Sequence, residues 1–119
     1  MRAGPVSVVW DAHRSGRAVL RLDGDLTIGA VEACHGIVGD VLARASVVAI
    51  EAGGLAAVDL AGLQLLMAGR RQAERAGKLF HLAAPAGGAL REALIAAGLV
   101  ADGDGGEGAG WVDAFWLAG

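Results

Sequence analysis

The stretch AAVDLAGLQLLMAGRRQAERAGK, Ala56 to Lys78, narrows the possible folds of this chain because it spells out a helix with both ends marked. Asp59 stands at the N-cap, where a carboxylate accepts hydrogen bonds from the free N–H groups of the first turn and complements the helix dipole. From there Gly62, Leu65, Leu66, Gly69, Ala73 and Ala76 recur with a 3.6-residue period. They form an apolar stripe whose small members permit close approach to a sheet. The opposite side carries Leu60, Gln64, Met67, Arg71 and Arg75, and Glu74 and Lys78 are expected to pair one turn apart. Gly77 occupies the C′ position, where a left-handed residue ends a helix.

What flanks this helix extends the pattern. Val47 to Ile50 is an unbroken apolar run before Glu51, as in a strand covered on both faces. Lys78 to Ala83 reads as another strand, Pro85 to Gly88 as a turn, and Ala89 to Ala97 as a helix with Leu90, Ala93, Leu94 and Ala97 inward. Gly98-Leu99 repeats the terminating device of Gly77. From Val47 the order is therefore strand, helix, strand, helix, which implies crossover connections and a sheet with helices packed on it. Upstream, Val6 to Trp10 and Ala18 to Leu22 read as a strand pair about the Ser15-Gly16 turn. A helix follows, with Asp25 or Thr27 as cap and Ile28, Val31, Ala33 or Cys34, Val38, Val41 and Leu42 as its inward stripe. Gly29, Gly36 and Gly39 weaken it by up to about 1 kcal/mol each.

With 119 residues and 55% hydrophobic composition, the chain suits one domain with a single core. That domain is expected over residues 1–101, with an acidic glycine-rich linker at 102–110 and an aromatic segment at 111–119. Trp111, Val112, Phe115 and Trp116 fall on one side of a possible short helix, suited to packing on their own domain or to a homodimer or partner contact. Ten basic and nine acidic side chains precede residue 102, after which Asp102, Asp104, Glu107 and Asp113 are all acidic. Such a balance offers no footprint for nucleic acid. No apolar run reaches the roughly 20 residues of a membrane span, and the first residues lack a signal-peptide core, so membrane insertion is not expected and a cytoplasmic location is.

Nucleophilic catalysis finds little support. Ser7, Ser15, Ser46 and Thr27 are the sole aliphatic hydroxyls and tyrosine is absent; none sits in a nucleophile elbow. His13, His35 and His81 fall in a turn, a helix and a strand, and the single Cys34 beside His35 suits a half-buried helix pair better than a metal site. Asp102 and Asp104 lack the remaining ligands of a calcium loop. Gly53-Gly54 and Gly87-Gly88 match neither the Walker nor the dinucleotide pattern and read as turn glycines. No cofactor is expected.

Four segments carry a family resemblance: Arg21-Leu22-Asp23-Gly24-Asp25-Leu26-Thr27, Val48-Ala49-Ile50-Glu51, Val58-Asp59-Leu60-Ala61-Gly62-Leu63-Gln64-Leu65-Leu66, and Ala93-Leu94-Ile95-Ala96-Ala97-Gly98-Leu99. In order and spacing they resemble the landmarks of STAS domains, the bacterial anti-sigma factor antagonists and their relatives, over about Val6 to Leu99. The resemblance implies an α/β fold, a small mixed sheet of four to five strands with helices packed mainly on one face, and a non-enzymatic binding module. It also implies a contact surface at the Asp59 helix: Asp59, Leu60, Ala61, Gly62, Gln64, Met67 and Arg71. Phosphoregulated members carry a serine or threonine directly after the aspartate. Here that position is Leu60, followed by Ala61, and neither can accept the −1.5 to −2 charges of a phosphate. The partner so implied is a kinase-like anti-sigma factor or another signalling protein, such as a two-component or chemotaxis protein, in transcription regulation or signal transduction. An alternative is an accessory subunit seated on the ATPase of a bacterial lipid-transporting ABC complex.

Overall fold

The structure, a computed structural model, describes residues 2–99. The linker and aromatic segment expected at 102–119 lie outside the described residues. In chain order the elements are β1 (Arg2–Ala3), β2 (Val6–Trp10), β3 (Arg17–Leu26), α1 (Ile28–Arg44), β4 (Val47–Val58), α2 (Leu60–Arg75), β5 (Leu79–Leu82) and α3 (Gly88–Ala96). The strands lie side by side in sequence order. β1, β2 and β3 are antiparallel neighbours, whereas β3, β4 and β5 run parallel, so the sheet is mixed. The parallel half follows from chain economy: each parallel neighbour is reached through a helix, as a crossover requires.

Strand pleating sorts the side chains. Val6, Val8, Ala18, Leu20, Leu22, Val48, Ile50, Phe80 and Leu82 are buried on one face of the sheet, and α1 and α2 cover it. A Cβ added at Gly69 of α2 would lie 2.8 Å from the Phe80 ring of β5 and 3.2 Å from Val38 of α1, so a glycine lets helix, helix and strand meet. α3 packs against β4 through Leu90 and Leu94. At the far end of α1, Arg44 stacks 4.6 Å over the Trp10 ring.

Several details differ from the sequence-based expectations. β3 runs on to Leu26 and β4 to Val58, so Gly53-Gly54 lie within a strand and not in a turn. Two register shifts, between Arg21 and Asp23 and between Gly24 and Asp25, explain the glycines: β-bulges favour residues with no side chain to place, and a Cβ on Gly54 would run into the Asp23 carboxylate. The inward stripe of α1 is Cys34, Ile37, Val38, Val41 and Leu42, with Ile28 78% exposed. Cys34 is buried and His35 exposed, so the pair does not converge; burial pushes the Cys34 thiol up. In α2, Leu63 is buried and Ala76 exposed. Ala97 beyond α3 is exposed as well.

Glu74 pairs with Arg70 at 2.9 Å, not with Lys78. The Lys78 ammonium instead donates to the Leu42 carbonyl in the last turn of α1, where a cation meets the negative end of the helix dipole. Gly77 ends α2 as expected, with φ +69; its N–H donates to Glu74 O and that of Lys78 to Ala73 O, the paired bonds of a Schellman turn. Gly98 and Leu99 close α3 in the same way.

Gly36 has open space around its would-be Cβ and sits on the exposed side of α1. Gly36→Ala is therefore expected to raise stability by about 0.5–1 kcal/mol, the backbone entropy that glycine forfeits within a helix. A thermal melt checks it.

Candidate functional site

α2 begins where β4 ends, and the turn between them is held by one side chain. Asp59 has extended backbone angles, φ −108 and ψ −177, and its Oδ1 accepts from the Gly62 N–H at 3.0 Å, the expected N-cap. Its Oδ2 does something sequence reasoning did not foresee: it accepts from the Ile28 N–H at 2.9 Å. Ile28 is the first residue of α1, and Thr27 at that helix's cap position makes no side-chain cap bond. Asp25 lies in β3, paired with Ala57, and is not a cap either. One carboxylate thus caps two helices whose N-termini converge. The bonds from Gly62 and then Ile28 hold the Asp59 carboxyl below the usual carboxylate range, since both favour the ionised form.

Around this double cap the expected contact residues are sorted by the helical period. Leu60, Gln64 and Arg71 are exposed, and Met67 is half-buried with part of its side chain against the core. At about 100° per residue all four project more than roughly 120° from the centre of the buried stripe, so they share one outward ridge. Ala61 is half-buried beside it. Gly62 is buried at the back: a Cβ there would run into the Leu26 carbonyl oxygen and lie 3.1 Å from Val58. Its part is to bring α2 down onto β3, while the ridge faces solvent.

Ile28 stands exposed at the same helix junction. With Leu60 it is one of four large hydrophobic residues that stand exposed among the described residues, at 78% and 56%. Both are first residues of helices capped by the same aspartate. The signal was present in the sequence: measured from the centre of the stripe formed by residues 34, 37, 38, 41 and 42, position 28 lies roughly 110° away.

Away from this ridge a cleft of about 810 Å³ opens where β3, β4 and the loop after β5 approach α3, between Leu22, Glu51, Gly53, Pro85, Gly87 and Leu90. Arg21 and Glu51 form an ion pair at 2.9 Å on its rim. Both partners are about half exposed, so solvent screens the pair. Among the described residues no group of three or more His, Cys, Asp or Glu side chains is placed to hold a metal ion, and no helix is long and apolar enough to cross a membrane.

The family model described as "Mlab, STAS domain" matches residues 10–101. The chain belongs to the STAS domain family. Its fold is similar to that of an anti-sigma factor antagonist from Mycobacterium paratuberculosis, at TM-score 0.65 and 21% identity over 79% of this chain and 77% of that one. It is similar also to the anti-sigma factor antagonist SpoIIAA in its unphosphorylated form, at TM-score 0.61 and 18% identity over 73% and 78%. Part of SLC26A9 is similar in fold as well, at TM-score 0.60 and 12% identity, covering 71% of this chain but 16% of that much longer one. No curated protein sequence matches the chain. The α/β architecture expected from the STAS resemblance, a mixed sheet with three helices, is the one observed.

Proposed function

We propose that this STAS domain is a constitutive, non-enzymatic binding module that engages a signalling protein through the ridge Leu60, Gln64, Met67 and Arg71, together with Asp59, Ala61 and Ile28. The observation that carries this reading is the pair of exposed apolar residues at the doubly capped helix start. An isoleucine and a leucine held out in water on a rigid turn gain free energy when a partner covers them. A kinase-like anti-sigma factor is the partner class that the antagonist neighbours suggest. SpoIIAA exists in phosphorylated and unphosphorylated forms. Here the residue after the capping aspartate is Leu60, with no hydroxyl, so contact at this turn is not gated by phosphate on that residue.

Leu60→Glu is the test. Full burial of a leucine is worth about 1.5–3 kcal/mol, so the variant is expected to weaken the complex by at least about tenfold with melting temperature almost unchanged. Titration against the partner recovered with tagged wild-type chain measures it, and equal affinity for both proteins removes this surface from consideration.

A second reading, an accessory subunit on the ATPase of a lipid-transporting ABC complex, is favoured by the matching family model's description, Mlab, which is not that of an antagonist. Recovery of a transporter ATPase and no signalling kinase in the same pull-down would select it.

A further inference from the structure

The two remaining exposed large hydrophobic residues, Val9 at 48% and Leu79 at 54%, lie on the sheet face turned away from α1 and α2. Cross-strand register defines that face. One row runs Val9, Val19, Ala49, His81 across β2, β3, β4 and β5; a second runs Arg17, Val47, Leu79; a third runs Ser7, Arg21, Glu51. None of these ten residues is buried, whereas their neighbours on the other face almost all are. Five of the ten are Val, Ala or Leu, contiguous across four strands. Arg17 and the preceding loop residue Arg14 give the apolar rows a basic border at one end, Arg17 with no ion pair among the described residues, while Arg21 is paired with Glu51.

The chain itself contains a segment of matching character. Residues 111–119, WVDAFWLAG, carry Trp111, Val112, Phe115, Trp116 and Leu117, and residues 102–113 contain four acidic side chains and no basic one. Twelve Cα steps separate Leu99 from Trp111, a reach of up to about 40 Å. That exceeds the roughly 20 Å across five strands and the roughly 33 Å along a ten-residue strand. We propose that residues 111–119 cover the outer face of the sheet in the same chain, laying their aromatic side chains on Val9, Val19, Val47 and Leu79 with the acidic stretch against the arginine border. Tethering holds the segment at millimolar effective concentration beside the face, which favours it over a second copy at ordinary protein concentrations. The proposal leaves the Leu60 ridge open for a partner.

The test places a nitroxide probe on Ala118→Cys of the full chain and reads amide broadening by NMR; Cys34 is buried and escapes the label. Broadening centred on Val9, Val19, Val47 and Leu79 is the expected result. The double variant Val9→Glu, Leu79→Glu, whose positions are exposed and tolerate charge, is expected to lose that broadening. Its chymotryptic cleavage after Phe115 or Trp116 should accelerate by roughly tenfold or more, as undocking exposes the bonds. Broadening centred on Ile28 and Leu60 or on the Gly53–Gly87 cleft overturns the proposal, as does none at all, or broadening that persists in the double variant. So does equal broadening when isotope-labelled chain without the probe is mixed with probe-bearing chain without the isotope, because the segment then comes from a second copy.

Discussion

Gly62→Ala is expected to lower the melting temperature by about 8–16 °C, even though alanine is the better helix former. The sign is set by two opposing magnitudes. Alanine recovers about 1 kcal/mol of helix propensity. Its methyl, however, is aimed at the Leu26 carbonyl oxygen, a backbone atom of β3 that cannot rotate aside, with Val58 crowding from the strand before α2. Overpacking of this kind costs about 3 kcal/mol. The net loss of about 2 kcal/mol is a substantial share of a total stability of about 5–15 kcal/mol, and it converts to the stated shift for a domain of this size. Gly69→Ala should cost less, because the Phe80 ring it meets can tilt. Run beside Gly36→Ala, the same substitution then gives opposite signs in one fold; a melting temperature for Gly62→Ala equal to or above wild type would contradict the close approach of α2 to β3.

The second large effect is expected at Asp59. Because its two oxygens cap two helices, Asp59→Ala should behave as the loss of two caps and lower the melting temperature on the order of 10 °C. Asp59→Asn keeps one carbonyl oxygen but presents an amide group to the second N–H, so it should fall between alanine and wild type. The pH dependence follows from the sign of the shift. The folded carboxyl titrates below its unfolded value of about 3.9, so the stabilisation is fully present above that pH and is lost as pH falls through the folded pKa. The wild type should therefore show an acid-side decline in melting temperature that the Asn variant largely lacks. Parallel acid profiles for the two proteins would mean that the ionised carboxylate is not what holds the helix starts.

Much of this was legible in the sequence, and the misses have a common cause. The α2 stripe, the Asp59 cap, the outward position of Leu60 and the Gly77 stop were readable because each is a local rule acting within one turn of helix. What escaped were relations between segments distant in sequence. Nothing near Thr27 shows that a carboxylate 32 residues later will cap its helix. Nothing near Lys78 announces the Leu42 carbonyl, so the nearby Glu74 was the obvious and mistaken partner. The continuation of β4 through Gly53-Gly54 was hidden for a related reason: glycine pairs mark turns in isolation, and only the register shift against β3 shows the bulge. In α1 the stripe expected through Val31, Cys34, Val38, Val41 and Leu42 packs on the core, but Ile37 belongs to it and Ile28, about 110° from its centre, does not.

The residues that bracket α2 also grip both ends of α1: Asp59 just before it holds the Ile28 amide, and Lys78 just after it holds the Leu42 carbonyl. Two successive helices, separated by the whole of β4, are in effect bolted together top and bottom. Neither can fray without freeing a terminus of the other, so their amides should exchange with solvent as a single cooperative unit. A protein pressing on Leu60 would then meet a plate, and the push would be passed whole to the pair.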